Sequence, residues 1–243
     1  MNEQAHPAEA PADERAVDRT MEGHSVLVAG ATGGLGSLIA ADLADRGATL
    51  TMVSRQPEKL DALTVPGQRV ALDLRDPSSC EAAVKAALEH GGRLDAVVNA
   101  VGVVAFGPVS DLSVDTMEEL FMTNTFVPML LARAALAAMD DGGVIVNISG
   151  VIAEQNLPGM AAYGASKAAV RSFDEALSRE GRRRGVRVID ARPPHTETGL
   201  ADRAVAGKAP KMPAGLDPAD VAATICAAIA GETTDLPSSS FAT

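Results

Sequence analysis

Six short apolar runs alternate with stretches of helical periodicity along this chain, and that alternation constrains the fold more than any other feature. The runs fall at Ser25–Ala29, 48–53, 69–72, 94–98, Val144–Ile148 and 186–190. Helical stretches lie between them at 35–46, 76–90, 113–139 and 160–184, and a last one follows at 217–230. Asp76-Pro77 and Asp217-Pro218 each set a capping carboxylate before a proline at the first helical position, and Ser113 caps the long third helix. Strands joined by helices require right-handed crossovers. The expectation is a parallel sheet buried on both faces: a single-domain, doubly wound, Rossmann-like α/β/α fold over residues 23–243. Ligands of such sheets bind outside the carboxyl ends of the strands.

Composition excludes several alternatives. A formal net charge of −11 in 243 residues argues against a nucleic-acid backbone as partner. Arg182, Arg183 and Arg184 form the one basic cluster, at a predicted helix end where cations suit the dipole. The two cysteines, Cys80 and Cys226, stand far apart without metal-ligand spacing, so a reduced, cytoplasmic protein with no metal is expected. No apolar run approaches the roughly 20 residues that span a bilayer, so no membrane partner is expected. Residues 1–22 carry six acids, two arginines and two prolines, the composition of a disordered acidic tail.

Glycines fall where the fold places a ligand. Gly30-Ala-Thr32-Gly33-Gly34-Leu35-Gly36 follows the first strand and opens the first helix. Such a turn lets a pyrophosphate approach the backbone, and the helix start supplies N–H donors. Farther on, Tyr163 is the only tyrosine of the chain, and Lys167 stands four residues later, one helical turn away on the same face. An ammonium beside a phenol should favour the phenolate and give an acid/base suited to a carbonyl oxygen. Asn124 precedes Pro128 by four residues, so its carbonyl loses an intrahelical donor. A kink is expected there, either to free that carbonyl for an ordered water or merely to improve packing.

Gly30-x-x-x-Gly34-x-Gly36 together with Tyr163-x-x-x-Lys167 resembles the two hallmarks of the short-chain dehydrogenase/reductase family. The likeness runs from Ser25 to about Thr198. Asp73-Leu74 resembles the family's adenine-contacting pair. Asn99-Ala100-Val101-Gly102 resembles its Asn-Asn-Ala-Gly stretch, with Ala100 and Val101 as departures. Asn124 falls where the family carries its catalytic asparagine. Pro193-Pro194-His195-Thr196-Glu197-Thr198 resembles the loop that holds the nicotinamide amide, with Pro194 in place of glycine. The resemblance implies that Tyr163 is the acid/base, that Lys167 lowers its pKa and holds the nicotinamide ribose, and that Asn124 anchors a relay water. It also implies that the helices starting at Ser113 and Met160 pair across a two-fold axis. At least a homodimer is expected, while a tetramer is less secure because Leu236–Phe241 matches the family's last strand poorly.

One departure bears on activity. The family's substrate-binding serine lies thirteen residues before the tyrosine, and here that position is Gly150 rather than Ser149. Neighbouring residues of a strand face opposite ways, so Ser149 substitutes only if the backbone shifts. Gln155, Asn156 or His195 is a candidate replacement, His195 being equally an ordinary loop residue. At the end of the second strand Ser54 and Arg55 suit a 2′-phosphate, so NADP(H) is favoured over NAD(H), the plain alternative being a solvated arginine. The expected function is NADP(H)-dependent reduction of a small-molecule carbonyl, or oxidation of the alcohol. The alternative is a dinucleotide-binding protein with little or no redox turnover, because Gly150 stands at the position of the family's catalytic serine. The segment 199–215, with Leu200, Val205 and Met212, is expected to cover the substrate.

Overall fold

A computed structural model of the chain describes residues 20–139 and 142–241. Its centre is a six-stranded sheet of β1 (Ser25–Ala29), β2 (Thr49–Ser54), β3 (Gln68–Ala71), β4 (Ala96–Asn99), β5 (Val144–Ile148) and β6 (Arg187–Ala191). The order is β3-β2-β1-β4-β5-β6, and every pairing is parallel. The helices are α1 (Gly34–Asp45), α2 (Pro57–Asp61), α3 (Pro77–Gly91), α4 (Val114–Phe121), α5 (Val127–Ala138), α6 (Ala161–Arg182) and α7 (Pro218–Ala230). All six expected strands are present within one or two residues, so the doubly wound fold holds. The short α2 was not anticipated, because five residues are too few for a periodic pattern.

The sheet is buried on both faces, which is why β1 is apolar throughout. Val26, Val28, Ile39, Leu43, Leu50 and Ile225 fill the layer beneath α1 and α7. Leu27, Val53, Val97, Leu131 and Ile145 fill the layer beneath α3 and α5. The predicted caps form: the Asp76 and Asp217 carboxylates accept from Ser78 N at 2.9 Å and Ala219 N at 2.8 Å, and Ser113 accepts from Thr116 N at 3.1 Å. Because the chain winds to β2 on one side of β1 and to β4 on the other, a crevice opens above the carboxyl ends of β1 and β4.

Three expectations change. The helix expected over 113–139 is broken: a π-turn at Met122–Phe126 separates α4 from α5, with Val127 N bonded to Met122 O. Asn124 lies within that turn, and Pro128, which has no N–H, stands just after it, so the expected kink takes the form of a π-turn. By length and composition Val114–Ala138 is apolar enough to cross a membrane, although half of its most apolar window is buried inside the protein. The expected tail at 1–22 lies outside the described residues except for 20–22. Met21 packs into the core, its amide on the Arg46 carbonyl at 3.1 Å.

Candidate active site

The glycine turn closes against its neighbours so tightly that side chains cannot enter. Gly30 has φ +78°, and a Cβ there would lie 2.9 Å from the backbone of Ala100. A Cβ on Gly34 would lie 2.5 Å from the Thr198 carbonyl oxygen, so the segment after β6 rests directly on the start of α1. Gly36 turns into the packing of the turn itself, where a Cβ would collide with the Gly30 carbonyl oxygen.

Two adjoining cavities occupy the crevice. One encloses about 280 Å³ and contains Tyr163, Lys167, Gly34, Leu35, Gly150, Pro193, Thr196 and Thr198 in its wall. The other encloses about 260 Å³ and is bordered by Gly30, Thr32, Ser54, Arg55, Asp73 and Leu74. They share Gly33, Ala100, Val101, Gly102, Leu200 and Arg203. Of the segment expected to cover the substrate, Leu200 and Met212 reach the first cavity, whereas Val205 reaches only the second.

In the first cavity Tyr163 and Lys167 project from one face of α6. The helix is locked in place by the π-turn: Asn124 Nδ2 donates to Ser166 Oγ at 3.1 Å, Ser166 Oγ donates to the Tyr163 carbonyl at 2.7 Å, and Thr125 Oγ1 donates to the Ser166 carbonyl at 2.8 Å. Asn124 itself is fully buried and lines neither cavity. Its amide brackets Val103, accepting from Val103 N and donating to Val103 O, both at 2.9 Å. Asn99 likewise lines neither cavity: its Oδ1 accepts from Val101 N at 3.2 Å, which orients the Ala100–Gly102 backbone.

The expected electrostatics are reversed. Lys167 Nζ donates to the Ile148 carbonyl at 2.7 Å, and no hydrogen bond joins it to Tyr163 among the described residues. Burial pushes the phenol up to about 12 and the ammonium down to about 8, with Asp190 opposing the second shift. Burial is what sets the direction of the tyrosine shift in the chain alone.

Gly150 sits at φ +80° and ψ 163°, a region that side-chain-bearing residues avoid. Ser149 is buried and contributes to the cavity wall, but its hydroxyl is taken up by the Asp190 carboxylate. Of the three proposed replacements, Gln155 and Asn156 lie outside the cavity and only His195 lines it, with Nε2 3.4 Å from the Glu197 carboxylate. Behind the wall, Asn147 Nδ2 donates to Asp174 Oδ1 at 2.7 Å, while Asp174 Oδ2 is buried without a partner. Burial first, then Asp190, drives the Asp174 carboxyl well above its usual range. Sequence reasoning missed this acid pair, since no local pattern links positions 174 and 190.

In the second cavity Ser54 Oγ lies 2.7 Å from Thr32 Oγ1, and Arg55 is exposed at the mouth. Arg75 binds both oxygens of Asp73, holding that carboxyl below its ordinary range. Lys59 and Thr123 also line the cavity and were not anticipated. Thr123 Oγ1 is buried without a hydrogen-bond partner. A glycine-walled cradle, four basic side chains at the border (Arg55, Lys59, Arg75 and Arg203) and an orphaned hydroxyl fit a phosphate-bearing nucleoside.

The comparisons agree with this geometry. The family model for short chain dehydrogenases matches residues 24–209. The 3-oxoacyl-[acyl-carrier-protein] reductase of Vibrio cholerae is 32% identical over 217 residues, 84% of this chain and 89% of that protein. A short-chain dehydrogenase from Streptomyces avermitilis superposes with a TM-score of 0.77 at 28% identity, covering 89% of both chains. A dehydrogenase/reductase from Sinorhizobium meliloti does so with 0.77 at 25% identity, over 93% of this chain and 98% of that one. The chain belongs to the short-chain dehydrogenase family of oxidoreductases, which act on the alcohol/carbonyl pair.

Proposed function

We propose that the protein reduces the carbonyl of an apolar small molecule at the expense of NADPH. The observation that carries this reading is the placement of Tyr163 and Lys167 in a cavity continuous with the glycine cradle. Val104, Phe106, Ile152, Leu157, Met160 and Met212 give its outer wall an apolar lining. Arg55 and Lys59 at the mouth of the second cavity, with Ser54 and Thr32, suit a 2′-phosphate and favour NADP(H) over NAD(H).

A bound nicotinamide dinucleotide supplies the hydride. Tyr163 donates its phenolic proton to the oxygen of the carbonyl under reduction. A phenol held near 12 is fully protonated at neutral pH, the form that reduction needs and oxidation does not. Lys167, anchored on Ile148 O, presents its ammonium to the ribose and to the developing charge on Tyr163. Asn124 fixes the Val103 backbone and the register of α6, and the π-turn around it offers carbonyls to a relay water. Asp73, Leu74, Ala100, Pro193, Thr196 and Thr198 complete the cofactor contacts.

Exposed Met122 and Phe126, beside the small exposed residues Ala161 and Ala165, support pairing of α4 and α6 with a second copy. A cytoplasmic homodimer without nucleic-acid or membrane partners is the corresponding assembly, and light scattering giving only monomer mass at micromolar concentration contradicts it. Gly150 favours a second reading, dinucleotide binding with little turnover. A screen of ketones, aldehydes and quinones with NADPH separates the two: steady NADPH oxidation supports the reductase, and its absence with intact binding supports the second reading.

A further inference from the structure

The wall between the two cavities contains one cation that the family motifs do not account for. Arg203 comes from the segment after β6, far in sequence from the glycine turn, yet it lines both cavities together with Gly33, Ala100 and Gly102. Its Nη2 donates to the Thr198 carbonyl at 3.3 Å, and that same carbonyl rests against Gly34, 2.5 Å from where a Cβ would stand. The guanidinium is thereby held over the glycine turn. Acids outnumber basic residues 32 to 21, and Arg46, Arg75, Arg93, Arg133, Arg179 and Arg192 all find carboxylates. Arg203 forms no ion pair among the described residues, and only one of its five N–H donors is used.

We propose that Arg203 clamps the pyrophosphate of the dinucleotide from above, opposite the glycine turn, so that the segment after β6 closes on the cofactor through this side chain. The inference rests on the dinucleotide reading of the two cavities. A planar guanidinium suits two adjacent phosphate oxygens, and the boundary between a nucleoside cavity and a reaction cavity is where the linking phosphates of a two-part cofactor must lie. Arg55 and Lys59 line the second cavity alone, whereas Arg203 lines both, so the two cation groups would read different phosphates. A substrate anion is the competing occupant.

Titration of the full-length protein with NADPH, NADH and adenosine 2′-monophosphate, by NADPH fluorescence and calorimetry, tests this without recourse to turnover. Arg203→Met is expected to weaken NADPH and NADH by the same factor, about tenfold or more, and to leave adenosine 2′-monophosphate unchanged. Arg203→Lys should recover part of the loss. Arg55→Met serves as the contrast: it should weaken NADPH and adenosine 2′-monophosphate but not NADH. The side chain is exposed and makes a single backbone bond, so the fold should survive, as an unchanged melting temperature will show. Dinucleotide dissociation constants unchanged in Arg203→Met overturn the clamp, and a raised KM for the carbonyl substrate alongside them assigns Arg203 to the substrate instead. Failure of the unaltered protein to bind either dinucleotide overturns the underlying reading, a result distinct from any effect of Arg203.

Discussion

Lys167 Nζ donates to the Ile148 carbonyl at 2.7 Å, which ties the lysine of α6 to the last residue of β5. The bond orients the ammonium at the carboxyl end of the sheet and leaves the Tyr163 phenol governed by its own burial. Two consequences are measurable at once. Because the ammonium loses its proton near 8 in the free protein, NADPH affinity should weaken as pH rises through that value, and Lys167→Met should remove the dependence. The linkage to stability has the opposite sense. The folded value lies below the ordinary 10.5, so between about 8 and 10.5 the unfolded chain holds more protons and the destabilising effect of the buried lysine fades. The melting temperature of Lys167→Met should exceed that of the unaltered protein by most at neutral pH, with the gap closing across that window. A gap that does not vary with pH contradicts this.

The buried acid pair gives a second test. Asp174 keeps its proton far above the usual 3.8, so the folded state holds more protons than the unfolded one as pH rises from there. Its contribution to stability is therefore complete below 3.8 and is lost with rising pH. Asp174→Asn preserves the acceptor for Asn147 and removes the titration. The variant should gain on the unaltered protein as pH rises, by about 1 kcal/mol or more near neutrality. Chemical denaturation at several pH values checks this, and parallel curves would rule it out.

Gly150 is a simple opportunity only in sequence. Restoring a hydroxyl near the substrate oxygen with Gly150→Ser would be expected to raise turnover, and the space exists, since the nearest atom to a Cβ is Pro193 O at 3.8 Å. The backbone at φ +80° opposes it. Gly150→Ser should cost about 1–3 kcal/mol of stability and give no gain in rate. Thermal unfolding alongside turnover on carbonyls of several sizes decides the matter; a more active, equally stable variant would show that the loop adopts a second conformation.

Cofactor preference rests on Arg55. NADPH should bind about tenfold or more tightly than NADH, and Arg55→Asp should shrink or reverse the difference. Equal dissociation constants in the unaltered protein would sink the assignment.

The strands, the glycine turn and the Tyr163–Lys167 pair were legible because each depends on a short spacing: apolar runs of 4–6 residues, a turn of seven, one helical turn. What sequence spacing hides is the medium. The pairing of Tyr163 with Lys167 suggested a depressed phenol, but desolvation depends on what α6 is packed against, and that is set by residues far along the chain. Asn124 and Asn99 show the same limit from another side. Their positions match the family pattern, while their side chains turn out to bind Val103 and Val101 and to shape the wall from behind. Arg203 carries no motif at all, and only the fold brings it over Gly34.

Tyr163 delivers the proton in the proposed carbonyl reduction by NADPH, and its loss should abolish that step. The direct measurement is NADPH oxidation by Tyr163→Phe and by the unaltered protein on the same carbonyl, with the NADPH dissociation constant determined for both. Tyr163 is the only tyrosine, so no second phenol can take its place. The rate should fall by roughly 10²–10⁴-fold while NADPH affinity stays within about twofold. A Tyr163→Phe protein that binds NADPH normally and turns over at the unaltered rate contradicts the account.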